Sequence, residues 1–175
     1  TEGISPTLDP SQLHVAEAPP ESRLIVTAAA GQGKTEVVLA RLESLAQDGV
    51  DVQSNVLVLS FSRAAVDAVR RRLRRTGRAS VTVRTFDSFA AKVILDVGEL
   101  DGVRGFEGRI RKATELIAAG EADVDHIEHL VLDESQDLVG DRAEMVLALL
   151  EKLPDVGFTV LGDPLQGIYD FQLDK

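Results

Sequence analysis

The densest run of chemically useful residues is Ala28, Ala29, Ala30, Gly31, Gln32, Gly33, Lys34 and Thr35. It matches the pattern of a phosphate-binding loop, with Ala28 in place of the first glycine. Small side chains let the backbone wrap an anion closely. Amides from Gly31 to Thr35 would converge on it at a helix N-terminus, where unpaired N–H groups and the helix dipole favour negative charge. Lys34 would reach the β- and γ-phosphates of a nucleotide, and the Thr35 hydroxyl would ligate Mg2+. A glycine-rich turn that merely opens a helix has a similar composition. The apolar run before this one and the amphipathic run after it supply the strand–loop–helix context that phosphate binding needs.

A second run, Leu130-Val131-Leu132-Asp133-Glu134, is an apolar stretch ending in two carboxylates. Asp133 would hold Mg2+, directly or through water, and Glu134 would polarise an attacking water as general base. Alone, such a pair is an ordinary solvated turn. The phosphate loop upstream is what favours the catalytic reading. Further on, Gly162, Asp163 and Pro164 make a tight turn, after which Gln166 stands where its amide could bond a γ-phosphate or the attacking water. Tyr169 and Phe171 follow in a chain with only 4% aromatic residues. They read either as stacking surfaces for the bases of a single strand or as core.

The elements that must position these groups alternate along the chain. Apolar runs at 24–27, 56–60, 81–84, 130–132 and 158–161 are rich in Val, Leu and Ile and nearly continuous in hydrophobicity. Strands covered on both faces of a parallel sheet read this way. Helical patterns lie between them. Residues 34–46 carry Val38, Leu42 and Leu45 on one stripe, and 63–75 carry Ala65, Val66, Val69 and Leu73. Residues 139–153 carry Val139, Ala143, Val146, Leu147, Leu150 and Leu153, and 109–119 form a further helix. The prediction is an α/β fold, a mostly parallel sheet flanked by helices. Each strand runs into a polar or glycine-rich segment, at 28–35, 61–63, 85–88, 133–137 and 162–166. In open α/β sheets ligands bind outside the carboxyl ends of the strands, so all five segments belong to one candidate site edge.

Composition limits the alternatives. The 175 residues suffice for one domain with a hydrophobic core. No apolar run approaches a membrane span, and the first twenty or so residues lack the basic start and apolar block of a signal peptide. Cysteine is absent, which excludes disulfides and thiolate metal sites and fits a cytoplasmic location. His14, His126 and His129 have no metal-ligand spacing. A net charge of −10 argues against strong non-specific nucleic-acid binding by the chain as a whole. The one basic block, Arg70, Arg71, Arg72, Arg74 and Arg75, is either a solvated helix end, where cations suit the dipole, or a phosphate-contacting patch.

Taken together these segments resemble the first RecA-like, P-loop NTPase domain of UvrD/Rep-like superfamily 1 DNA helicases. Leu8-Asp9-Pro10-Ser11-Gln12 resembles the family's Q motif, residues 28–35 its motif I, and Phe61-Ser62-Arg63-Ala64-Ala65 its motif Ia. Thr85-Phe86-Asp87-Ser88-Phe89 resembles a segment often written Thr-Phe-His-Ser-Phe; 133–137 resembles motif II and 162–171 motif III. Six motifs in the right order cover most of the chain. The resemblance implies that Gln12 reads adenine, so that the cofactors are ATP and Mg2+. It implies that Lys34, Glu134 and Gln166 are catalytic, with Gln166 coupling the γ-phosphate to the nucleic-acid site. Phe61, Ser62, Thr85, Tyr169 and Phe171 would line a path for single-stranded DNA. A second, C-terminal RecA-like domain of the same protein would be the other partner. Residues 1–175 would then be one motor domain, an N-terminal fragment of a longer helicase, weakly active alone, with a reduced insertion at about 98–128. A part in DNA repair goes with the family. Two departures stand out: Arg63 where the family usually has Asn, and Asp87 where it usually has His, a carboxylate that would repel phosphate unless paired. A P-loop ATPase switch that does not move on a polymer and a degenerate, helicase-like protein-interaction module are the competing expectations.

Overall fold

The computed structural model describes residues 14–26, 33–60, 62–77, 81–98, 105–133 and 139–162, and only the backbone of 33, 34, 106 and 107. Residues 14–16 are helical and lead through a turn into β1 (Arg23–Val26). The chain continues through α1 (Gly33–Gln47), β2 (Val56–Ser60), α2 (Arg63–Arg75), β3 (Thr82–Thr85), α3 (Phe86–Asp96) and α4 (Phe106–Ala118), then β4 (His129–Leu132), α5 (Gly140–Lys152) and β5 (Gly157–Leu161). The five strands form one sheet in the order β1-β5-β4-β2-β3. Every pairing is parallel. Parallel neighbours cannot be joined by hairpins, so helices make the crossovers and cover both faces.

Strand alternation sorts the side chains into two cores. Val58, Val83, Val131 and Leu161 pack with Val38 and Leu42 of α1 and Val66 and Val69 of α2. Leu57, Leu59, Leu130, Leu132, Phe158 and Val160 face the other way, onto α3, α4 and α5. The central strands β2, β4 and β5 are buried at every position, as their continuous hydrophobicity predicts. The outer strands β1 and β3 are only partly covered, because each has a strand neighbour on one side.

Two expectations change. Residues 86–96 form a full helix where only a polar segment after β3 is predicted; its Phe86, Phe89, Ala90, Val93 and Ile94 repeat at helical spacing and are all buried. Val139 is not on the inward stripe of its helix. It is 50% exposed and occupies the N-cap of α5, and Met145 and Leu149 fill the core beside Val146 and Leu150.

At the lower part of the sheet a buried polar network ties residues 16–20 to three elements. Arg41 of α1 is fully buried, which is tolerable only if the guanidinium is hydrogen-bonded throughout. Its Nε donates to Thr159 Oγ1 at 3.2 Å, Nη1 to the carbonyls of Ala16 (3.1 Å) and Ala18, and Nη2 to that of Pro19 at 2.9 Å. Burial lowers its pKa, partly offset by Asp48 and Glu21. His129 Nδ1 lies 2.8 Å from the Pro20 carbonyl, which can only accept, so Nδ1 carries the proton. Nε2 therefore accepts from the Thr159 hydroxyl at 2.9 Å. Burial lowers the His129 pKa from 6.5 to about 4; the bond to Pro20 opposes that shift and Arg41 adds to it.

Candidate functional site

The register places the candidate residues at one height on the carboxyl edge. Val26 is opposite Leu161, and Val160 is opposite Leu132, so Asp133 stands level with Leu161 and Val26. Asp133 stays in the ladder by donating its N–H to the Leu59 carbonyl at 2.9 Å. One strand, β5, separates β1 from β4. At a spacing of about 4.8 Å per strand, the end of the strand that feeds the phosphate loop and the Asp133 backbone are roughly 10 Å apart. Alternation puts Asp133 on the face of Val131, which packs in the same core as Val37 and Val38 of α1. The acid and the first turn of the helix after the phosphate loop thus share one edge and one face of the sheet.

Thr35, half-buried, sits in that first turn, where helix N–H groups have no partners within the helix. Its hydroxyl and the Asp133 carboxylate, 4% exposed, are hard oxygen donors of the kind Mg2+ takes, with phosphate and water completing the shell. No cluster of three or more His, Cys, Asp or Glu gathers among the described residues. Glu36, in the same turn, suits the positive end of the helix and forms an ion pair with Arg72 of α2. The Ser60 hydroxyl, buried on the edge beside Asp133, has no hydrogen-bond partner among the described residues.

Gln12, Ala28, Ala29, Ala30, Gly31, Gln32, Phe61, Glu134, Gln166, Tyr169 and Phe171 lie outside the described residues. Gly33 and Lys34 open α1, by backbone only. Ser62 and Thr85 are described, and both are helix caps. The Ser62 Oγ accepts from Ala65 N at 3.1 Å and the Thr85 Oγ1 from Ser88 N at 3.0 Å. Each satisfies one orphan donor at the start of α2 or α3.

Between those two helix starts, over the end of edge strand β3, opens a cleft of about 530 Å3. Arg63, Asp67 and Arg70 line it from α2, Thr85, Asp87 and Ser88 from the start of α3, and Arg109 from α4. Arg70 donates to the Val83 carbonyl at 2.7 Å, Arg72 is held by Glu36, and Arg71, Arg74 and Arg75 are exposed. The basic block therefore divides between structural contacts, one cleft residue and a solvated end. Asp87 is paired: Arg142 Nη2 reaches its two carboxylate oxygens at 3.2 and 3.3 Å. That answers the repulsion its substitution for His would otherwise bring. Sequence reasoning does not single out Arg109 or Arg142. The one available signal for Arg142 is its position in the first turn of a predicted helix, where a cation opposes the dipole and needs an acidic partner.

A parallel sheet with a helix starting just past β1, and an acid at the end of β4 level with it, defines a P-loop-type nucleotide-binding α/β domain. The chain matches the AAA domain family over residues 12–172. It is 36% identical to DNA helicase IV of Escherichia coli (strain K12) over 91 residues, 51% of this chain and 13% of that protein. It is 31% identical to DNA helicase II of Rickettsia typhi over 77 residues, 43% of this chain and 12% of that protein. A longer match, 26% identical over 160 residues, joins it to a protein of Acanthamoeba polyphaga mimivirus named for ATP-dependent DNA helicase activity, covering 83% of this chain and 22% of that protein. The chain thus spans a small part of each of these relatives. It belongs to the AAA domain family and, within it, to the N-terminal ATP-binding domains of UvrD/Rep-like superfamily 1 helicases.

Proposed function

We propose that this domain binds Mg-ATP and, joined to a second RecA-like domain of the same protein, couples ATP hydrolysis to movement along single-stranded DNA in the cytoplasm. The observation that carries the reading is the shared edge and face of Asp133 and the first turn of α1. Amides from Gly31 to Thr35 cradle the phosphates and Lys34 neutralises the β- and γ-oxygens. Thr35 and Asp133 hold Mg2+, which when bound offsets the charge that develops on the phosphates. Glu134 takes the proton of the attacking water, Gln166 orients that water, and Gln12 reads adenine. The arginine-lined cleft at the starts of α2 and α3 takes the sugar-phosphate backbone, with Ser62 and Thr85 holding the two helix ends in place. Phe61, Tyr169 and Phe171 are the residues proposed to stack on bases.

The test is ATP turnover by the full-length protein with and without single-stranded DNA, beside Lys34→Ala. Turnover stimulated by DNA in the wild type and lost in the variant is the expected result. Turnover indifferent to DNA points instead to a P-loop ATPase switch, and absence of Mg-ATP binding to a degenerate interaction module.

A further inference from the structure

Strand pairing sets Ser60 beside the acid of β4. Leu59 is opposite Leu132, so Ser60, the last residue of β2, stands opposite Asp133, about one strand spacing of 4.8 Å away. Ser60 follows Val58 in the strand alternation and Asp133 follows Val131, and both valines pack in the core of α1 and α2. The two side chains therefore share one height and one face of the sheet, the face of α1, whose first turn carries Thr35. Both are shielded from water: Ser60 is 0% and Asp133 4% exposed. Ser60 carries the only buried hydroxyl that has no hydrogen-bond partner among the described residues. Thr159 of β5 uses its hydroxyl on Arg41 and His129, and Ser62 and Thr85 use theirs as helix caps. A buried hydroxyl left unbonded costs stability that an alanine of nearly the same shape does not. Packing alone thus gives no reason for a serine here, and its position points to a group that arrives at this edge.

We propose that Ser60 is a positioning residue for the metal: its hydroxyl accepts a hydrogen bond from a water in the shell of the Mg2+ ion that Asp133 holds. Mg2+ dehydrates reluctantly and keeps several waters where the protein offers only one or two oxygens, as Thr35 and Asp133 do. A metal-bound water is a strong donor, and a serine hydroxyl has two acceptor lone pairs to meet it. That bond fixes the direction of one water and, through the octahedral demand of the ion, the directions left for the phosphate oxygens. The burial of Ser60 keeps bulk water from competing for the bond and strengthens it. Ser60 itself touches neither the nucleotide nor the ion. The inference rests on the proposed function, in that it needs Mg-ATP to bind at Asp133.

The experiment measures binding of a fluorescent ATP analogue to the full-length protein, once with excess Mg2+ and once in EDTA, in wild type and Ser60→Ala. Thermal unfolding without nucleotide is followed in parallel. In Ser60→Ala the Kd with Mg2+ should rise about tenfold, the scale on which losing an outer partner weakens a metal site, while the Kd in EDTA stays within about twofold of wild type. The unfolding midpoint of the variant should equal or exceed that of wild type, because the hydroxyl removed has no bond to lose. An unchanged Kd with Mg2+ overturns the inference, and so does binding weakened equally with and without the metal. A lowered midpoint, or a variant that does not fold, overturns it as well, since the hydroxyl would then be bonded within the protein already. A wild type that binds no tighter with Mg2+ than in EDTA sinks the underlying Mg-ATP reading instead, and the two wild-type curves alone reveal it.

Discussion

His129 and Arg41 carry the plainest residue-scale consequence. Both are fully buried, and Thr159 stands between them as acceptor from one and donor to the other. His129 must stay neutral to accept from that hydroxyl, and its pKa of about 4 lies below the unfolded value of 6.5. The unfolded chain therefore binds more protons than the folded one between these values. Stability is intact above about pH 6.5 and is lost as pH falls toward 4. The full loss for a shift of that size is on the order of 3 kcal/mol. Thermal unfolding followed through this range should show the midpoint dropping with acid in the wild type and a flatter profile in His129→Gln. Equal slopes would mean that His129 is not the group being titrated. In sequence His129 stands just before an apolar run; neither its burial nor its partner 109 positions away has a local signal.

At the scale of elements, the close approach of the N-terminal segment to β5 depends on Gly157. A Cβ there would collide with the Pro20 carbonyl and come within 2.7 Å of His129 Nδ1. Backbone cannot yield as the end of a flexible side chain can, so Gly157→Ala should destabilise the domain by about 1–3 kcal/mol or more, as overpacking does. Denaturant unfolding reads this directly, and a variant as stable as wild type would mean that residues 18–22 are not seated as described. Elements whose sidedness is periodic are legible from residue types alone. The bounds of α2 and β2 coincide with their hydrophobic patterns, α1 runs one residue further at each end, and β4 one residue further at its start. Helix α3 is harder to read. Its first turn carries polar residues that resemble a loop after a strand, and only the spacing of Phe86, Phe89, Ala90 and Val93 marks the helix.

For the whole molecule, charge distribution matters more than its sum. A net charge of −10 disfavours nucleic acid everywhere except where cations gather, and Arg63, Arg70 and Arg109 gather at the cleft. Arg63 is exposed and begins α2, so its removal leaves the core untouched. If the cleft takes a strand as proposed, Arg63→Ala should weaken binding of oligo(dT) and oligo(dA) about equally and shrink the slope of log K against log salt by roughly one. An unchanged slope would place the strand elsewhere. Among the described residues no helix is long and apolar enough to cross a membrane.

Residue order alone declares the chemistry on offer and the succession of its parts: a phosphate loop, an acidic pair after an apolar strand, and polar segments after each strand. Those features are local, written in glycine placement, side-chain type and periods of two and 3.6 residues. Packing in three dimensions sets the rest. It puts β5 between β1 and β4, turns Asp133 to the face of α1, and neutralises Asp87 with Arg142 instead of leaving it to repel phosphate. Such facts are pairings between distant segments, and strand neighbours and ion-pair partners are chosen by the packing of the whole core, which no short window of sequence encodes.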